Sequence, residues 1–171
     1  MCGTVNCGAY LGQTLGTPLI RRLHDGSWGV IFGNGTNSNG DGTAGSSGHS
    51  GIFIMLVASN GGITFKWMEA GSAAAGGIVQ VASADLDGDH ITDYVYGGDV
   101  LGNLYRFDLT SSSASSWSSM KIFQTASGQP ITTSPAVTSV PGVGSGNPKL
   151  VIVISPRKPS DAIQRVIARR P

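Results

Sequence analysis

Short apolar segments alternate with polar, glycine-rich turns along most of the chain. Residues 63–68 illustrate the pattern, because Ile63, Phe65 and Trp67 share one face of an extended strand and the intervening side chains share the other. The tripeptide NGG at residues 60–62, just before this segment, is a typical turn signal. This spacing predicts an all-β chain made of short antiparallel strands.

The predicted strands recur in groups. Opening strands are expected near Thr17, Gly77 and Thr133, about 55 to 60 residues apart, and each is followed by a polar turn and a more apolar strand. Four short antiparallel strands per repeat are typical of a propeller blade, and propellers usually have about 4 to 8 blades. We therefore predict a partial, modified β-propeller of about two and a half four-stranded antiparallel blades. The alternative, a β-sandwich with irregular loops, does not explain the repeat.

The sequence suggests three parts. Residues 1–14 are predicted to be an N-terminal extension, residues 15–154 the partial β-propeller domain, and residues 155–171 an atypical basic tail. That tail contains five of the eleven Lys and Arg residues, an abrupt change in composition. Residues 160–169 fit two interpretations, a short amphipathic helix and a disordered segment.

Composition and charge exclude several classes of protein. With 171 residues, of which 40% are hydrophobic, the chain can bury the core of one domain. A net charge of +1 gives no reason to expect nucleic acid or an anionic membrane as a partner. We expect no membrane span, because no apolar run reaches the roughly 18 residues required. The start of the chain lacks the features of a signal peptide, and Cys2 and Cys7 fit either a small disulfide loop or two incidental thiols.

An acidic cluster stands out in a chain that is only 12% charged. In the stretch DLDGDHITD, Asp85, Asp87, Asp89 and Asp93 occupy the first, third, fifth and ninth positions, and the backbone carbonyl of Ile91 occupies the seventh. Alternate residues of a tight loop direct their oxygens to one centre, where a cation offsets the repulsion of the carboxylates. Hard oxygen ligands in such a loop suit Ca²⁺, whereas Mg²⁺ demands a stricter octahedron and Zn²⁺ prefers nitrogen or sulfur.

The loop differs from an EF-hand, which has Gly at its sixth position, Glu at its twelfth and helices on both sides. Here those positions hold His90 and Tyr96, and both flanks are predicted strands. We therefore predict a strand-turn-strand calcium site that Asp93 closes. Gly88 is expected to provide one bend, and His90 a second bend where glycine would be easier. A solvated polar hairpin is the alternative.

The stretch DLDGDHITDYVYGGDVLGNLYRFDLT closely resembles the calcium-binding blade of the C-terminal propeller in type IV pilus tip and biogenesis proteins of the PilC/PilY type. LGTPLIRRLHDGSWGVIFGNGTNS and GQPITTSPAV extend the resemblance over roughly residues 15–154. It implies Ca²⁺ bound by Asp85, Asp87, Asp89, the Ile91 carbonyl and Asp93. His90, where the family often has glycine, and the basic C-terminal tail depart from the family pattern.

The same resemblance implies a biological role for the parent protein. That role is pilus biogenesis, twitching motility and surface adhesion, with calcium occupancy opposing retraction. The implied location is the cell surface or outer membrane, associated with the pilus. The implied partners are pilus subunits or minor pilins, and a host or abiotic surface.

Candidate catalytic residues are sparse, so we expect no enzyme. His24, His49 and His90 lie in separate turns and loops, and no recognisable motif places a Ser or Cys nucleophile beside them. FGNGTNSNG lacks the GK[ST] ending of a phosphate loop. Asp99 and Asp108 are expected to bind their own turns or face solvent.

Two other classes of propeller fit the sequence less well. Integrin-like or lectin-like surface propellers usually repeat the acidic loop in successive blades, but the equivalent turns LHDGSW and VPGVGSGNPKL contain no such cluster. A quinoprotein-dehydrogenase-like propeller would need a full ring and a catalytic set that the sequence does not show.

Overall fold

The computed structural model describes residues 10–37, 48–72, 76–140, 149–154 and 164–168. Within these residues the chain forms three antiparallel sheets, ordered β1-β2-β3-β4, β5-β6-β7-β8 and β11-β10-β9. Two single-turn 3₁₀ segments, Ala114–Ser116 and Ala126–Gly128, flank β8. The strands are β1 (Leu19–Arg22), β2 (Trp28–Gly33), β3 (His49–Val57), β4 (Ile63–Ser72), β5 (Ile78–Ala84), β6 (Tyr94–Asp99), β7 (Asn103–Asp108), β8 (Ser118–Gln124), β9 (Ala136–Val140), β10 (Lys149–Ile154) and β11 (Gln164–Ala168).

This architecture confirms the predicted all-β, partial propeller. The first ten strands occur where the apolar segments predict them, and strands that are consecutive in the sequence pair antiparallel within each sheet. The turn at residues 60–62 forms as expected, because the N–H of Gly62 donates to the side chain of Asn60 at 2.9 Å and Gly61 adopts a φ of 80°. Two four-stranded sheets and one three-stranded sheet match the expected two and a half blades.

The basic segment near the C-terminus differs from both predicted interpretations. Gln164–Ala168 is a strand, β11, which pairs antiparallel with β10 from Leu150↔Ala168 to Ile154↔Gln164. A helix over residues 160–169 is therefore wrong for the part that the structure describes, because pairing with β10 satisfies the backbone of this segment instead. Residues 160–163 and 169 lie outside the described residues, and the domain division at residue 154 stays a prediction.

Packing between the sheets forms two hydrophobic clusters. The first cluster joins buried residues of the first sheet, including Ile31 and Ile54, to Val95 and Phe107 of the second sheet. The second cluster joins Tyr96 and its neighbours on the second sheet to residues that include Ile152 of β10. The middle sheet is therefore buried on both faces, which explains why β6 is buried along its whole length.

Buried polar groups also connect the first two sheets. Asn34, fully buried after β2, accepts hydrogen bonds at Oδ1 from the backbone N–H groups of Gly51 (3.2 Å) and Ile78 (3.0 Å). Asp99 was expected to bind its own turn or face solvent. It does bind its turn, through the N–H groups of Leu101 and Asn103, but its side chain is fully buried between the sheets.

Two sequence predictions concern features elsewhere in the chain. Cys2 and Cys7 lie outside the described residues. Among the residues that are described, no helix has the length and apolar character needed to cross a bilayer.

Candidate metal centre

The acidic loop connects β5 to β6 within the second sheet. Ala84 ends β5 and pairs with Tyr94, the first residue of β6. The backbone N–H of Asp93 donates to the carbonyl of Ala84 at 3.0 Å, which closes the base of the loop. Residues 85–92 therefore project from the end of a hairpin whose two strands are held by the sheet.

Three carboxylates converge in this loop. Candidate ligand oxygens of Asp85, Asp87 and Asp89 lie within 4.8 Å of one another, and all three residues are exposed. Their orientation follows from backbone donors: Asp85 accepts from the N–H groups of Gly88 (2.7 Å) and His90 (2.8 Å). Asp87 accepts from the N–H of Asp89 at 3.2 Å. The loop thus holds three negative groups together by its own backbone hydrogen bonds.

The electrostatics of Asp85 reflect these hydrogen bonds. Slight desolvation by neighbouring atoms acts to raise the pKa of its carboxyl, but the donors at Gly88 and His90 outweigh this effect and leave the pKa below its usual value. The carboxylate is therefore charged, as a metal ligand must be.

Two residues of the loop adopt left-handed backbone conformations. Gly88 has a φ of 83° and His90 a φ of 66°. This confirms the expected second bend at His90, a position where a side chain bearing a Cβ is strained. The bend points the N–H of His90 at Asp85, so it contributes directly to the arrangement of the carboxylates.

The predicted closing ligand, Asp93, lies outside the group of three carboxylates. Its side chain is buried, with Oδ1 at 2.9 Å from Nε2 of His24 and Oδ2 accepting from the N–H of Leu86 at 2.7 Å. His24 belongs to the turn between β1 and β2, so the contact crosses from the first sheet to the second. Sequence reasoning missed this partner, because 69 residues separate the pair and no local pattern connects them.

Ile91, the predicted carbonyl ligand, lies beside the first sheet. It forms a short parallel bridge with Arg22, and the N–H of Thr92 donates to the carbonyl of Arg22 at 2.9 Å. The N–H of Ile91 donates to Asp89 at 2.7 Å. Coordination by the Ile91 carbonyl and by Asp93 stays a prediction.

The chemistry of the described donors fits calcium. The candidate ligand group consists of carboxylates alone, which are hard oxygen donors, and it faces solvent, from which waters can complete a shell of 6 to 8 oxygens. A zinc site would instead draw on nitrogen or sulfur. Each carboxylate oxygen has two lone pairs, so a hydrogen bond from the backbone leaves the same oxygen able to bind a cation.

Comparisons with known proteins agree with the resemblance seen in the sequence. The family described as "PilY1 beta-propeller domain" matches residues 2–155. The "Type IV pilus biogenesis factor PilY1" of Pseudomonas aeruginosa is 38% identical over 101 residues, which cover 58% of this chain and 8% of that protein. A "Type IV pilus biogenesis factor PilY1 homolog" of Xylella fastidiosa is 34% identical over 116 residues, covering 63% of this chain and 7% of the relative. The chain therefore spans less than a tenth of the length of these relatives.

A solved structure shows the same fold. The crystal structure of the Pseudomonas aeruginosa PilY1 C-terminal domain matches with a TM-score of 0.69, over 90% of this chain and 34% of that one. At 23% sequence identity, this likeness concerns the fold, and it agrees with a partial propeller. The match to the family covers residues 2–155, which is most of this chain, and the chain therefore belongs to the PilY1 β-propeller domain family.

Proposed function

We propose that this chain binds one Ca²⁺ in the loop of residues 85–93 and serves as a propeller region of a type IV pilus biogenesis protein. The observation that carries the calcium proposal is the convergence of Asp85, Asp87 and Asp89 within 4.8 Å. The same acidic group lies in the stretch that resembles the calcium-binding blade of pilus tip and biogenesis proteins.

Electrostatic repulsion explains why this loop favours a divalent cation. Carboxylates about 4 to 5 Å apart repel by about 1 kcal/mol per pair in water and by several times more near a protein surface. Ca²⁺ converts that repulsion into attraction. We propose that Asp93 and the carbonyl of Ile91 complete the ligand set, since both adjoin the loop where it returns to β6.

Calcium binding would stabilise the second sheet. Ligands before and after the bend would connect the end of β5 to the start of β6 through the ion. A ligand that binds only the folded state stabilises it by about 2.7 kcal/mol at a hundredfold excess over its dissociation constant. Calcium would therefore act as a structural ligand whose occupancy follows the surrounding concentration.

The biological role follows from the relatives, which are named type IV pilus biogenesis factors. We propose that the parent protein lies at the cell surface or outer membrane and acts with pilus subunits or minor pilins in pilus biogenesis. Twitching motility and adhesion to host or abiotic surfaces are the proposed outcomes. The proposed role is one of binding and not of catalysis, in keeping with relatives that are named biogenesis factors.

Isothermal titration of the chain with CaCl₂ tests the calcium proposal. We expect one site per chain, lost in Asp85→Asn and in Asp87→Asn, because each change removes a ligand charge while preserving shape. Asp108→Asn is the matched control, since the carboxylate of Asp108 accepts hydrogen bonds from Thr110 in its own turn. Absence of both heat and thermal shift at millimolar Ca²⁺ would disprove the proposal.

The pilus role is tested in the parent protein. Asp87→Asn is expected to alter piliation or twitching while export and surface level stay normal, because the loop loses calcium without losing its fold. Asp108→Asn should behave as wild type. Unchanged motility in a calcium-free Asp87→Asn protein at normal surface levels would limit calcium to a structural role.

A further inference from the structure

The side chain of Asp93 is held by two donors from different parts of the chain. The N–H of Leu86 in the acidic loop donates to Oδ2, and Nε2 of His24 lies 2.9 Å from Oδ1. A carboxylate can only accept hydrogen bonds, so His24 carries its hydrogen on Nε2 and donates it. The backbone of Asp93 is equally constrained, through hydrogen bonds to Ala84 and Leu109. The position of this carboxylate therefore depends on a residue of the first sheet.

Two further contacts join β1, the strand that precedes His24, to the acidic loop and its flank. Nε of Arg21 donates to the hydroxyl of Ser83 at 2.7 Å, just before the loop. The carbonyl of Arg22 accepts from the N–H of Thr92 at 2.9 Å, at the end of the loop. Together with His24 and Asp93, these contacts attach both ends of the loop to β1 and its turn.

We propose that His24 is a positioning residue for calcium, which holds Asp93 in place from the neighbouring sheet and so links calcium affinity to the packing of the first sheet against the second. This inference rests on the proposed calcium function. It assigns to His24 a role that the acidic motif itself does not contain.

The physical basis is preorganisation. A ligand side chain that is already fixed in position does not have to lose conformational freedom when the ion binds. Residues that hydrogen-bond to a metal ligand fix its orientation, and their removal typically weakens metal affinity about 10- to 100-fold. Asp93 is only 7% exposed, so few waters are available to replace His24 as a donor. Without that donor, Asp93 would turn or repack, and the ion would have to reorder it on binding.

Thermodynamic linkage makes the effect reciprocal. If packing of the first sheet favours the calcium-ready position of Asp93, then calcium must favour that packing by the same factor. The hydrogen bond between Thr92 and Arg22 reports on this contact, because it joins the acidic loop to the first sheet next to Asp93. Calcium should therefore slow hydrogen exchange at the N–H of Thr92 in the wild-type chain.

Three variants of His24 in the 171-residue chain test the proposal by CaCl₂ titration. His24→Ala and His24→Asn are expected to raise the dissociation constant about tenfold or more, because alanine has no donor and asparagine is too short to reach Asp93. His24→Gln is expected to restore affinity to within about threefold of wild type, since its amide nitrogen reaches about as far as Nε2 of histidine. The comparison of Asn with Gln decides the question even if the alanine variant does not fold.

His49→Ala provides the matched control. His49 pairs with Glu69 at 2.7 Å and is 22% exposed, against 21% for His24, so the two histidines resemble each other in environment. His49 lies at the start of β3. The β1–β2 turn, which contains His24, lies near the other end of β3, where Trp28 pairs with Val57. We expect His49→Ala to lower stability in EDTA as His24→Ala does, with the calcium dissociation constant unchanged.

The outcomes separate this inference from the calcium proposal. A wild-type chain that binds no calcium would overturn both. A wild-type chain that binds calcium, with His24→Asn binding as tightly or more tightly, would overturn the role of His24 alone. Equal hydrogen exchange at Thr92 with and without calcium would contradict the linkage between the ion and the packing of the sheets.

Discussion

Ser50 in the first sheet donates its hydroxyl hydrogen to Oδ2 of Asp99 in the second sheet at 2.9 Å. Both residues are buried, with 2% and 0% of their surfaces exposed. The same hydroxyl oxygen accepts from the N–H of Gly77 at 3.1 Å, and Asp99 also accepts from the hydroxyl of Tyr105 at 3.2 Å. A buried carboxylate is thus satisfied by donors from two sheets, which requires the sheets to pack in one arrangement.

Ser50→Ala is therefore expected to lower the free energy of unfolding by about 1 to 3 kcal/mol, because it leaves Asp99 short of a donor and Gly77 short of an acceptor. Urea unfolding measures the change. Ser113→Ala, at an exposed serine whose hydroxyl forms a hydrogen bond with Ser115, is the control and should stay within about 0.5 kcal/mol of wild type. Equal stability of the two variants would show that the bond between Ser50 and Asp99 contributes little.

Close approach of the first two sheets depends on Gly33 at the end of β2. A Cβ at this position would collide with the backbone carbonyl of Ile78, the first residue of β5. Gly33→Ala is expected to cost about 1 to 3 kcal/mol or more, since backbone atoms must move apart. Gly62→Ala, where the nearest atom belongs to the flexible side chain of Asn60, should cost much less in the same urea experiment. A smaller loss at Gly33 than at Gly62 would contradict this packing.

His90→Gly is expected to stabilise the chain. A left-handed φ of 66° destabilises a residue that has a Cβ by about 1 to 2 kcal/mol. The greater conformational freedom of glycine in the unfolded chain offsets about 0.4 to 1 kcal/mol of the gain from relieving this strain. A net gain of about 0.5 to 1 kcal/mol should raise the melting temperature by a few degrees. His90→Ala keeps the Cβ and should show no such gain, so equal melting temperatures for the two variants would refute the strain argument.

Alkaline pH is expected to destabilise the fold through Tyr96, which is only 1% exposed. Burial raises the pKa of its phenol well above the usual 10, although nearby Arg106 acts in the opposite direction. Above pH 10 the unfolded chain therefore releases a proton that the folded chain retains, and stability falls by up to about 1.4 kcal/mol per pH unit. Tyr96→Phe removes this contribution, so its free energy of unfolding should decline less steeply between pH 9 and 11. A slope equal to that of wild type would contradict the prediction.

Much of the fold could be predicted from the sequence because its signals are local. Apolar runs bounded by turn residues marked most of the first ten strands, and the alternation of apolar and polar residues marked β4. The acidic loop was also a local signal. Its carboxylates lie within nine residues, and backbone donors such as the N–H of His90 belong to the same turn.

The segment at Gln164–Ala168 shows where local signals end. Its apolar residues fit one face of a short helix, and a segment this short can form either structure. The choice depended on β10, whose backbone offers a complete antiparallel partner from Leu150 to Ile154. Pairing with β10 provides hydrogen-bond partners for the backbone N–H and C=O groups of this segment. An isolated helix of this length would be only marginally stable in water.

The sequence by itself therefore determined the first ten strands, their order and the spacing of the acidic residues, because each depends on neighbours along the chain. Tertiary structure alone decided which groups meet across the sheets. It brought His24 to Asp93 over 69 positions and Ser50 to Asp99 over 49 positions. These contacts form only when apolar burial packs the first sheet against the second, and each buried carboxylate then requires a donor from whatever residue that packing places beside it.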